Sequence, residues 1–260
     1  MFEKLGVQLF TVRDYMHDAE LIDFSLARLA KMGYTEAHTV SWKVPVEEFA
    51  ALLAKHGVKP IGTHYSFDVI KTDPEKTLHD HELLGTTNIG IGMMPKPARG
   101  NLDELKTFIK EFNTAAEQYG KHGYKLTYHN HDFEFRRIDG YKTIMDILYE
   151  ELDPQNTSFV LDTCWVSAAG ADVTDWMEKL EGRIDILHLK DYCITYDAAR
   201  DKESRLVTEV GHGNLCWDKI MTTAEKIGVK HYVVEQDSNF AGNAFNSLAM
   251  SAEFLKKYQK

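Results

Sequence analysis

Residues 158–163 read SFVLDT, and residues 231–237 read HYVVEQD. Each segment is a short apolar run that ends in ionisable residues, without the apolar–polar alternation of a half-exposed strand. Continuous apolar runs of this length are typical of parallel strands that are covered on both faces. We therefore predict a parallel sheet in which charged residues follow the strands.

Similar apolar runs occur along the whole chain and alternate with stretches of helical periodicity. Ile22, Leu26 and Leu29, for example, recur at helix spacing before Gly33. Alternating strands and helices predict a parallel α/β sheet, and the repeat of roughly 32 residues is the size of one strand–helix unit. Eight units predict an α/β fold of one domain, a single (β/α)8 TIM barrel over residues 1–260. The predicted strands are 5–10, 34–38, 58–64, 88–93, 125–131, 158–163, 185–190 and 231–236.

A doubly wound open sheet is the main alternative architecture. That fold usually needs fewer strands, and its dinucleotide-binding members carry a glycine-rich GxGxxG turn after the first strand. The first predicted strand of this chain is followed by no such turn. The barrel is therefore the preferred interpretation.

Composition restricts the classes of partner and the compartment. The 260 residues include 30 Lys and Arg against 40 Asp and Glu, which gives a net charge of -10. This charge opposes binding to nucleic acid. The three cysteines form no CxxC pair, and a sparse, odd count is typical of the reducing cytosol. Without an apolar run of about eighteen residues or a signal-peptide pattern, we expect a cytoplasmic protein that does not enter a membrane.

Polar residues end the later predicted strands, where TIM barrels carry their active sites. Burying one ionisable group costs several kcal/mol unless it is paired, so such groups on four successive strands need a common cause. A divalent cation bound by imidazole and carboxylate is the simplest one, and this ligand chemistry suits manganese, zinc, cobalt or iron better than calcium. The strand-end residues are His64, His129, Asn130, His131, Asp162, His188, Lys190, Asp191, Glu235 and Asp237.

Ordinary structural roles remain open for each of these residues taken singly. A histidine at a strand end is often a satisfied structural residue, and Asp162 could cap the next helix. Lys190 and Asp191 could form a plain ion pair. Trp165 follows a strand, where an aromatic face can stack on a sugar ring or simply pack in a loop. His79 and His81 lie in a polar helical stretch and are expected to be solvated.

The late motifs resemble the sugar phosphate isomerase/epimerase superfamily, the xylose-isomerase-like barrels. The matching segments are TYHNHDFEF (127–135), LDTCWVSAAGADV (161–173), HLKDY (188–192), EVGHGNLCW (209–217) and VVEQD (233–237). The resemblance implies one divalent metal, with manganese expected first, held by a residue on each of the last four barrel strands. By motif, these ligands are His129, Asp162, His188 and Glu235.

The first of these positions departs from the usual family pattern, because His129 stands where a glutamate is common. Epimerases of this type resemble one another in moving a proton between two substrate faces with paired glutamates, and one of that pair is missing. The histidine-rich segment looks more like inosose dehydratases and is similar to lyases of 3-keto sugars. This difference favours elimination over epimerisation but does not decide between the two reactions.

The resemblance implies an enzyme that acts on a carbohydrate or cyclitol. It would remove the proton alpha to a carbonyl through a metal-stabilised enolate, giving isomerisation, epimerisation or elimination. His131 is the candidate base, Glu235 a ligand that could also act as base, and Lys190 a partner for the enolate. His64 and Gln236 could orient hydroxyl groups, and Trp165 could stack on the sugar.

Two other functional classes stay open. Apurinic endonucleases share this barrel, but they need more metal ligands and a basic groove for DNA, which the charge of -10 opposes. A non-catalytic sugar-binding barrel would tolerate the loss of its metal. Barrels of this kind often pair, so a homo-oligomer is also an open expectation.

Overall fold

The computed structural model describes residues 2–40 and 42–260. Eight parallel strands close into a barrel in the order β1-β12-β9-β8-β5-β4-β3-β2, which confirms the predicted (β/α)8 fold. The strands are β1 Leu5–Gln8, β2 Tyr34–Val40, β3 Lys59–Tyr65, β4 Asn88–Ile91, β5 Lys125–His129, β6 Arg137–Asp139, β7 Lys142–Thr143, β8 Thr157–Asp162, β9 Ile184–Leu189, β10 Asp191–Asp197, β11 Lys202–Thr208 and β12 His231–Val234.

Helices surround the barrel and connect its strands. In the part of the chain that the structure describes, none of them is both long enough and apolar enough to cross a membrane. They are α1 Ala19–Lys31, α2 Val46–Lys55, α3 Phe67–Thr72, α4 Pro74–Leu84, α5 Lys96–Gly100, α6 Leu102–Gly120, α7 Ile144–Glu151, α8 Thr163–Ala168, α9 Val173–Lys179, α10 Trp217–Lys226 and α11 Ala244–Leu255.

Two antiparallel hairpins, β6–β7 and β10–β11, were not predicted from the sequence. The longer one pairs Asp191 with Thr208 and continues to Asp197 opposite Lys202. Its turn contains no glycine, and Asp201 instead adopts the positive φ of 50°. The usual Asn-Gly or Asp-Gly signal of a hairpin is therefore missing from this turn, whereas the shorter hairpin does contain an Asp-Gly pair, Asp139-Gly140.

The barrel interior is built in layers, because side chains along a strand point alternately inward and outward. Ile61, Val160, Ile186 and Val233 form a buried apolar cluster of their own. Two residues beyond the last three stand Asp162, His188 and Glu235, also buried. The apolar layer therefore forms the floor of a polar layer at the carboxyl ends of the strands, the side of a TIM barrel that carries catalysis.

His81 is buried, so the prediction that it is solvated was wrong. Its Nε2 lies 2.7 Å from Thr63 Oγ1 on β3, and its Nδ1 donates to the Thr77 carbonyl at 2.7 Å. The surrounding sequence is polar, but these two bonds satisfy the ring inside the protein. Burial lowers the pKa of His81 to about 4.

This burial predicts a pH dependence of stability that His81→Asn should remove. The unfolded histidine has a pKa near 6.5, so the unfolded chain binds the proton first as the pH falls, and acid destabilises the folded state. Between pH 7 and pH 5 the wild type should lose about 2 kcal/mol more unfolding free energy than the variant, measured by urea titration. His122→Asn, at an exposed histidine, is the matched control. Equal losses in the wild type and His81→Asn would contradict the assignment.

Candidate active site

Four side chains from four barrel strands converge inside the carboxyl end of the barrel. His129 ends β5, Asp162 ends β8, His188 lies in β9 and Glu235 directly follows β12. Their ligand atoms all lie within 4.8 Å of one another, and all four residues are buried. The structure thus brings together the four residues that the motif comparison indicated as metal ligands. We call them the four-residue cluster.

His129 is oriented by the backbone of the neighbouring strand. Its Nδ1 lies 3.1 Å from the carbonyl oxygen of Gly92, which can only accept a hydrogen bond. Nδ1 therefore carries a proton, and Nε2 faces Asp162 Oδ2 at 3.5 Å. Burial lowers the pKa of His129, but Asp162 and Glu235 raise it above its ordinary value, so a cation at Nε2 would take the place of the second ring proton. Gly92 must be small here, because a Cβ atom would lie 3.0 Å from Nδ1 of His64.

His188 is held at both ring nitrogens. Nδ1 lies 3.1 Å from Oε2 of Glu235, and Nε2 lies 2.8 Å from Nδ1 of the buried His38. For Nδ1 to bind a cation, the ring proton must sit on Nε2, with His38 as its acceptor. Such partners of metal-bound histidines fix the tautomer and the ring orientation.

His38, His64 and His188 also bring ligand atoms within 4.8 Å of one another. This second group includes no carboxylate, so it sets no negative charge against a cation. The short contact between His38 and His188 has the length of a hydrogen bond. We therefore interpret His38 as a support for His188 and not as part of a separate metal site.

Lys190 lies among three carboxylates. Its buried Nζ is 2.5 Å from Asp237 Oδ2, 3.1 Å from Glu235 Oε2 and 3.4 Å from Asp162 Oδ2. With all three ionised, the carboxylates and the ammonium sum to a charge of −2. Asp162 and Glu235 are buried, whereas the Asp237 side chain is 28% exposed, and a buried unpaired charge is costly. One divalent cation would make this group neutral.

The unsatisfied polar atoms fit the same interpretation. Asp162 Oδ2 and His129 Nε2 are both buried without a hydrogen-bond partner. A buried oxygen and nitrogen that face each other in this way match the mixed ligands preferred by manganese, zinc, cobalt or iron. The residues therefore fit a divalent cation, although they do not identify it.

Lys190 also keeps its neighbours ionised. Burial alone would raise the pKa of Glu235, but Lys190 and His188 hold it well below its usual range. Burial opposes ionisation of Asp162 as well, yet Lys190 and His129 lower its pKa. The pKa of Lys190 rises far above its ordinary value against burial, because of the carboxylates around it. The carboxylates are therefore charged and available as ligands.

Asp162 serves two roles at once. Its Oδ1 accepts the backbone N–H of Trp165 at 3.0 Å and caps α8, while Oδ2 faces the four-residue cluster. From the sequence, Asp162 was either a helix cap or a metal ligand. The two oxygens of its carboxylate permit both roles. Asp191, in contrast, faces away from Lys190 and accepts N–H groups of Gly211, Gly213 and the Trp217 indole.

His131 lies beside the cluster, two residues beyond His129. Its ring centroid is 4.8 Å from that of His129, and its Nδ1 is buried without a partner. Burial and the neighbouring His129 lower the pKa of His131 to about 3, so the ring is neutral. Neutral imidazole with a free nitrogen has the form required of a proton acceptor.

Glu134 was missed by the sequence analysis, although the segment that contains it was part of the family resemblance. It is buried, accepts the Tyr128 hydroxyl at 2.7 Å and accepts the backbone N–H of His131 at 2.8 Å. Burial raises its pKa to about 7. The role of Glu134 becomes visible only in the structure, where Glu134 lies under the turn after β5 and binds the backbone N–H of His131.

The remaining predicted site residues fall on two sides of the barrel wall. His64 and Trp165 lie near the cluster: the His64 ring is 5.1 Å from that of His129, and the Trp165 ring is 4.9 Å from Lys190 Nζ. Gln236 alternates to the outer side and donates to the carbonyls of Ser238 and Asn239. Its predicted substrate contact stays a prediction.

Comparisons with known proteins give one family and many similar folds. The family model described as a xylose isomerase-like TIM barrel matches residues 26–258. A sugar phosphate isomerase/epimerase from Parabacteroides distasonis ATCC 8503 is 23% identical with a TM-score of 0.82, over 99% of this chain and 96% of that chain. No curated protein matches significantly.

Two more distant solved structures share the fold. The probable 3-DHS dehydratase AsbF from Bacillus anthracis is 16% identical with a TM-score of 0.71, over 97% of this chain and 98% of that chain. D-allulose 3-epimerase from Methylomonas sp., in complex with D-allulose, is 16% identical with a TM-score of 0.68, over 98% and 97%. At these identities the likeness shows the fold alone.

The cluster predicts that Asp162→Asn weakens metal binding strongly, because it removes one of the two anionic ligands. We expect a loss of at least about 100-fold in affinity for Mn²⁺, measured by electron paramagnetic resonance titration of metal-free protein. Asp172→Asn is the matched control, since Asp172 caps α9 in the same manner outside the cluster. Unchanged affinity in Asp162→Asn would remove Asp162 from the site.

The contact between His38 and His188 predicts a smaller effect on the same measurement. His38→Ala should weaken Mn²⁺ binding by about 10- to 100-fold, because His188 loses the partner that fixes its tautomer. His38→Asn retains a side-chain acceptor and should recover part of the loss. His81→Asn, at another buried histidine, should have no effect. Equal affinities in wild type and His38→Ala would exclude this supporting role.

Proposed function

This chain belongs to the xylose isomerase-like TIM barrel family, and on that premise we propose that it isomerises or epimerises a carbohydrate in a divalent-metal-dependent reaction. The proton is transferred at the carbon next to a carbonyl group. The observation that carries the proposal is the buried four-residue cluster with a neutral histidine and a buried ammonium beside it.

The cluster residues form the binding part of this proposal. The four side chains would hold the cation, which when bound supplies Lewis acidity to a carbonyl oxygen of the substrate. The apolar floor below and the strand ends around the cluster keep water from these groups. A carbonyl compound of the sugar class fits such a site, because its oxygens can reach both the cation and the polar residues around it.

Proton transfer is assigned to His131 and Lys190. Nδ1 of His131 accepts the proton from the carbon, and the electron pair moves to the carbonyl oxygen. Burial and His129 lower the pKa of His131, and Asp162 and Glu235 offset part of this effect when the imidazolium forms. Lys190, always protonated here, lies where it can stabilise the negative charge that develops on oxygen. Return of the proton from His131 to the neighbouring carbon completes isomerisation, whereas epimerisation needs a second acid that delivers a proton to the opposite face.

Elimination is the second candidate reaction, and one observation favours it. The four-residue cluster contains a single glutamate, because His129 occupies the position of the other one. Loss of a beta hydroxyl or alkoxide needs only one base, which then returns its proton to the leaving group as acid. The protonated His131 could serve this purpose. A non-catalytic sugar-binding barrel has the same fold and would show neither reaction.

Solvent exchange tests the proposal directly. Metal-loaded protein in deuterium oxide should exchange the alpha proton of at least one compound in a panel of free keto sugars and inososes. The exchange is measured by proton NMR. His131→Ala should slow this exchange by at least about 100-fold and retain its metal, because it removes only the base. His122→Ala, at an exposed histidine, should match the wild type.

The outcomes separate the candidate functions. Exchange with appearance of an isomer supports the proposal, whereas an enone absorbance identifies elimination. Full activity in a metal-containing His131→Ala variant would show that the base is another group. Absence of exchange across the panel, with metal bound, would contradict both reactions and leave the sugar-binding barrel.

A further inference from the structure

Glu134 binds two groups around the turn that follows β5. Its Oε2 accepts the backbone N–H of His131 at 2.8 Å, and its Oε1 accepts the Tyr128 hydroxyl at 2.7 Å. Both carboxylate oxygens are therefore occupied, and the side chain is fully buried. Building on the proposed function, we infer that Glu134 is a positioning residue. In its ionised form it fixes the place of His131 for proton transfer, and protonation of Glu134 loosens this hold.

The ring of His131 needs an anchor of this kind, because its reacting nitrogen cannot hold it in place. Nδ1 must stay free to accept the substrate proton, and it is buried without a hydrogen-bond partner. The ring packs on two aromatic side chains, with centroid distances of 5.7 Å to Phe133 and 5.6 Å to Trp165. A hydrogen bond is more directional than such contacts. The bond from the backbone of His131 to Glu134 therefore sets the position of the ring.

Asn130 supports the same turn from its other side. Its Nδ2 lies 3.4 Å from the carbonyl oxygen of His131, and its Oδ1 accepts the backbone N–H of Asp162 at 2.9 Å. His131 is thus held at its N–H by Glu134 and at its carbonyl by Asn130. The contact to Glu134 is the shorter of the two, and hydrogen bonds to an ionised carboxylate are stronger than those between neutral groups. The charge on Glu134 therefore contributes most to the position of His131.

Protonation of Glu134 weakens this contact. A carboxylate only accepts hydrogen bonds, whereas the carboxylic acid must also place a proton. If the proton binds Oε1, the Tyr128 hydroxyl has to turn and accept it, and the remaining bond to His131 becomes a weaker one between neutral groups. Burial raises the pKa of Glu134 to about 7, so the change falls in a pH range where the protein can be assayed.

The titratable groups that act on Glu134 come from β5. The Tyr128 hydroxyl and the charge of His129 both lower the pKa of Glu134 and oppose the effect of burial. Burial and His129 lower the pKa of His131 to about 3, so His131 does not titrate in the same range. Charged groups on the neighbouring helices α5 and α7 contact other partners. These contacts are Arg99 with the carbonyl of Met94, Asp146 with Lys179 and Glu150 with Lys142.

An NMR titration of the Zn²⁺-loaded protein tests the contact without a substrate. Zn²⁺ is diamagnetic and keeps the cluster histidines from titrating. We expect the backbone amide signal of His131 to shift with a midpoint near pH 7 in the wild type. Glu134→Gln has no ionisable proton and should abolish this shift. Tyr128→Phe removes a donor to the carboxylate and should move the midpoint to higher pH. Glu82→Gln, at an exposed glutamate on α4, is the matched control and should behave as the wild type.

The pH profile of proton exchange tests the consequence for the reaction. With a compound from the panel of free keto sugars and inososes, kcat of the wild type should fall about 10-fold as the pH decreases through 7, with little change in KM. Glu134→Gln resembles the protonated form. Its kcat should therefore equal the wild-type value at the acid end and should not change across this range.

Two results would overturn the inference. One is an amide signal of His131 that does not titrate near pH 7, or that titrates equally in Glu134→Gln. The other is the same pH profile of kcat in wild type and Glu134→Gln. The proposed reaction fails separately: absent exchange together with a normal titration would contradict the reaction and leave Glu134 as a support of the backbone alone.

Discussion

The ammonium of Lys190 holds three carboxylates together at the carboxyl end of the barrel, two of them buried. Asp162, Glu235 and Asp237 come from the ends of two different strands, and without a cation between them they would repel one another. Asp162 and Glu235 are buried, so water would screen this repulsion little. Removing one partner of a buried ion pair lowers the stability of the folded protein by about 3–5 kcal/mol. Lys190 therefore stabilises the fold in addition to its chemical role. Its charge is nevertheless too small to balance all three carboxylates. The remaining negative charge makes the same place attractive to a divalent cation.

The barrel holds this arrangement in place because it fixes the groups on different rigid strands. Val160, Ile186 and Val233 form the floor, and two residues later the same strands present Asp162, His188 and Glu235. Backbone contacts then fix the orientation of each ring, as the Gly92 carbonyl does for His129. A site built in this way is positioned before a substrate arrives, which is the condition for effective electrostatic stabilisation.

The site has two regions of different character. The four-residue cluster is charged and deeply buried, whereas a cavity on the other side of His64 has aromatic and aliphatic walls around an internally neutralised ion pair. His131 and Trp165 stand at a third side of the cluster, with their rings 5.6 Å apart.

The family resemblance selected the four-residue cluster from the ionisable residues at the strand ends. The sequence by itself determined those strand-end residues, the eight barrel strands and their order along the chain. These follow from local features: apolar runs of strand length, and ionisable residues at the positions where those runs end. Asn101 likewise caps α6, as its place before a helical pattern suggests. Such features depend on neighbouring residues only, so they can be read without knowing the fold in detail.

Only the tertiary structure decided which distant groups meet. His38 bonds to His188 across the barrel interior, although the two lie 150 residues apart in the chain. Glu134 and His81 sit in polar stretches, yet the fold buries both. The partners of Lys190, the outward position of Gln236 and the cavity beside His64 also depend on how the strands are staggered around the barrel. That stagger arises from the closure of all eight strands together, and no single segment of the sequence carries it.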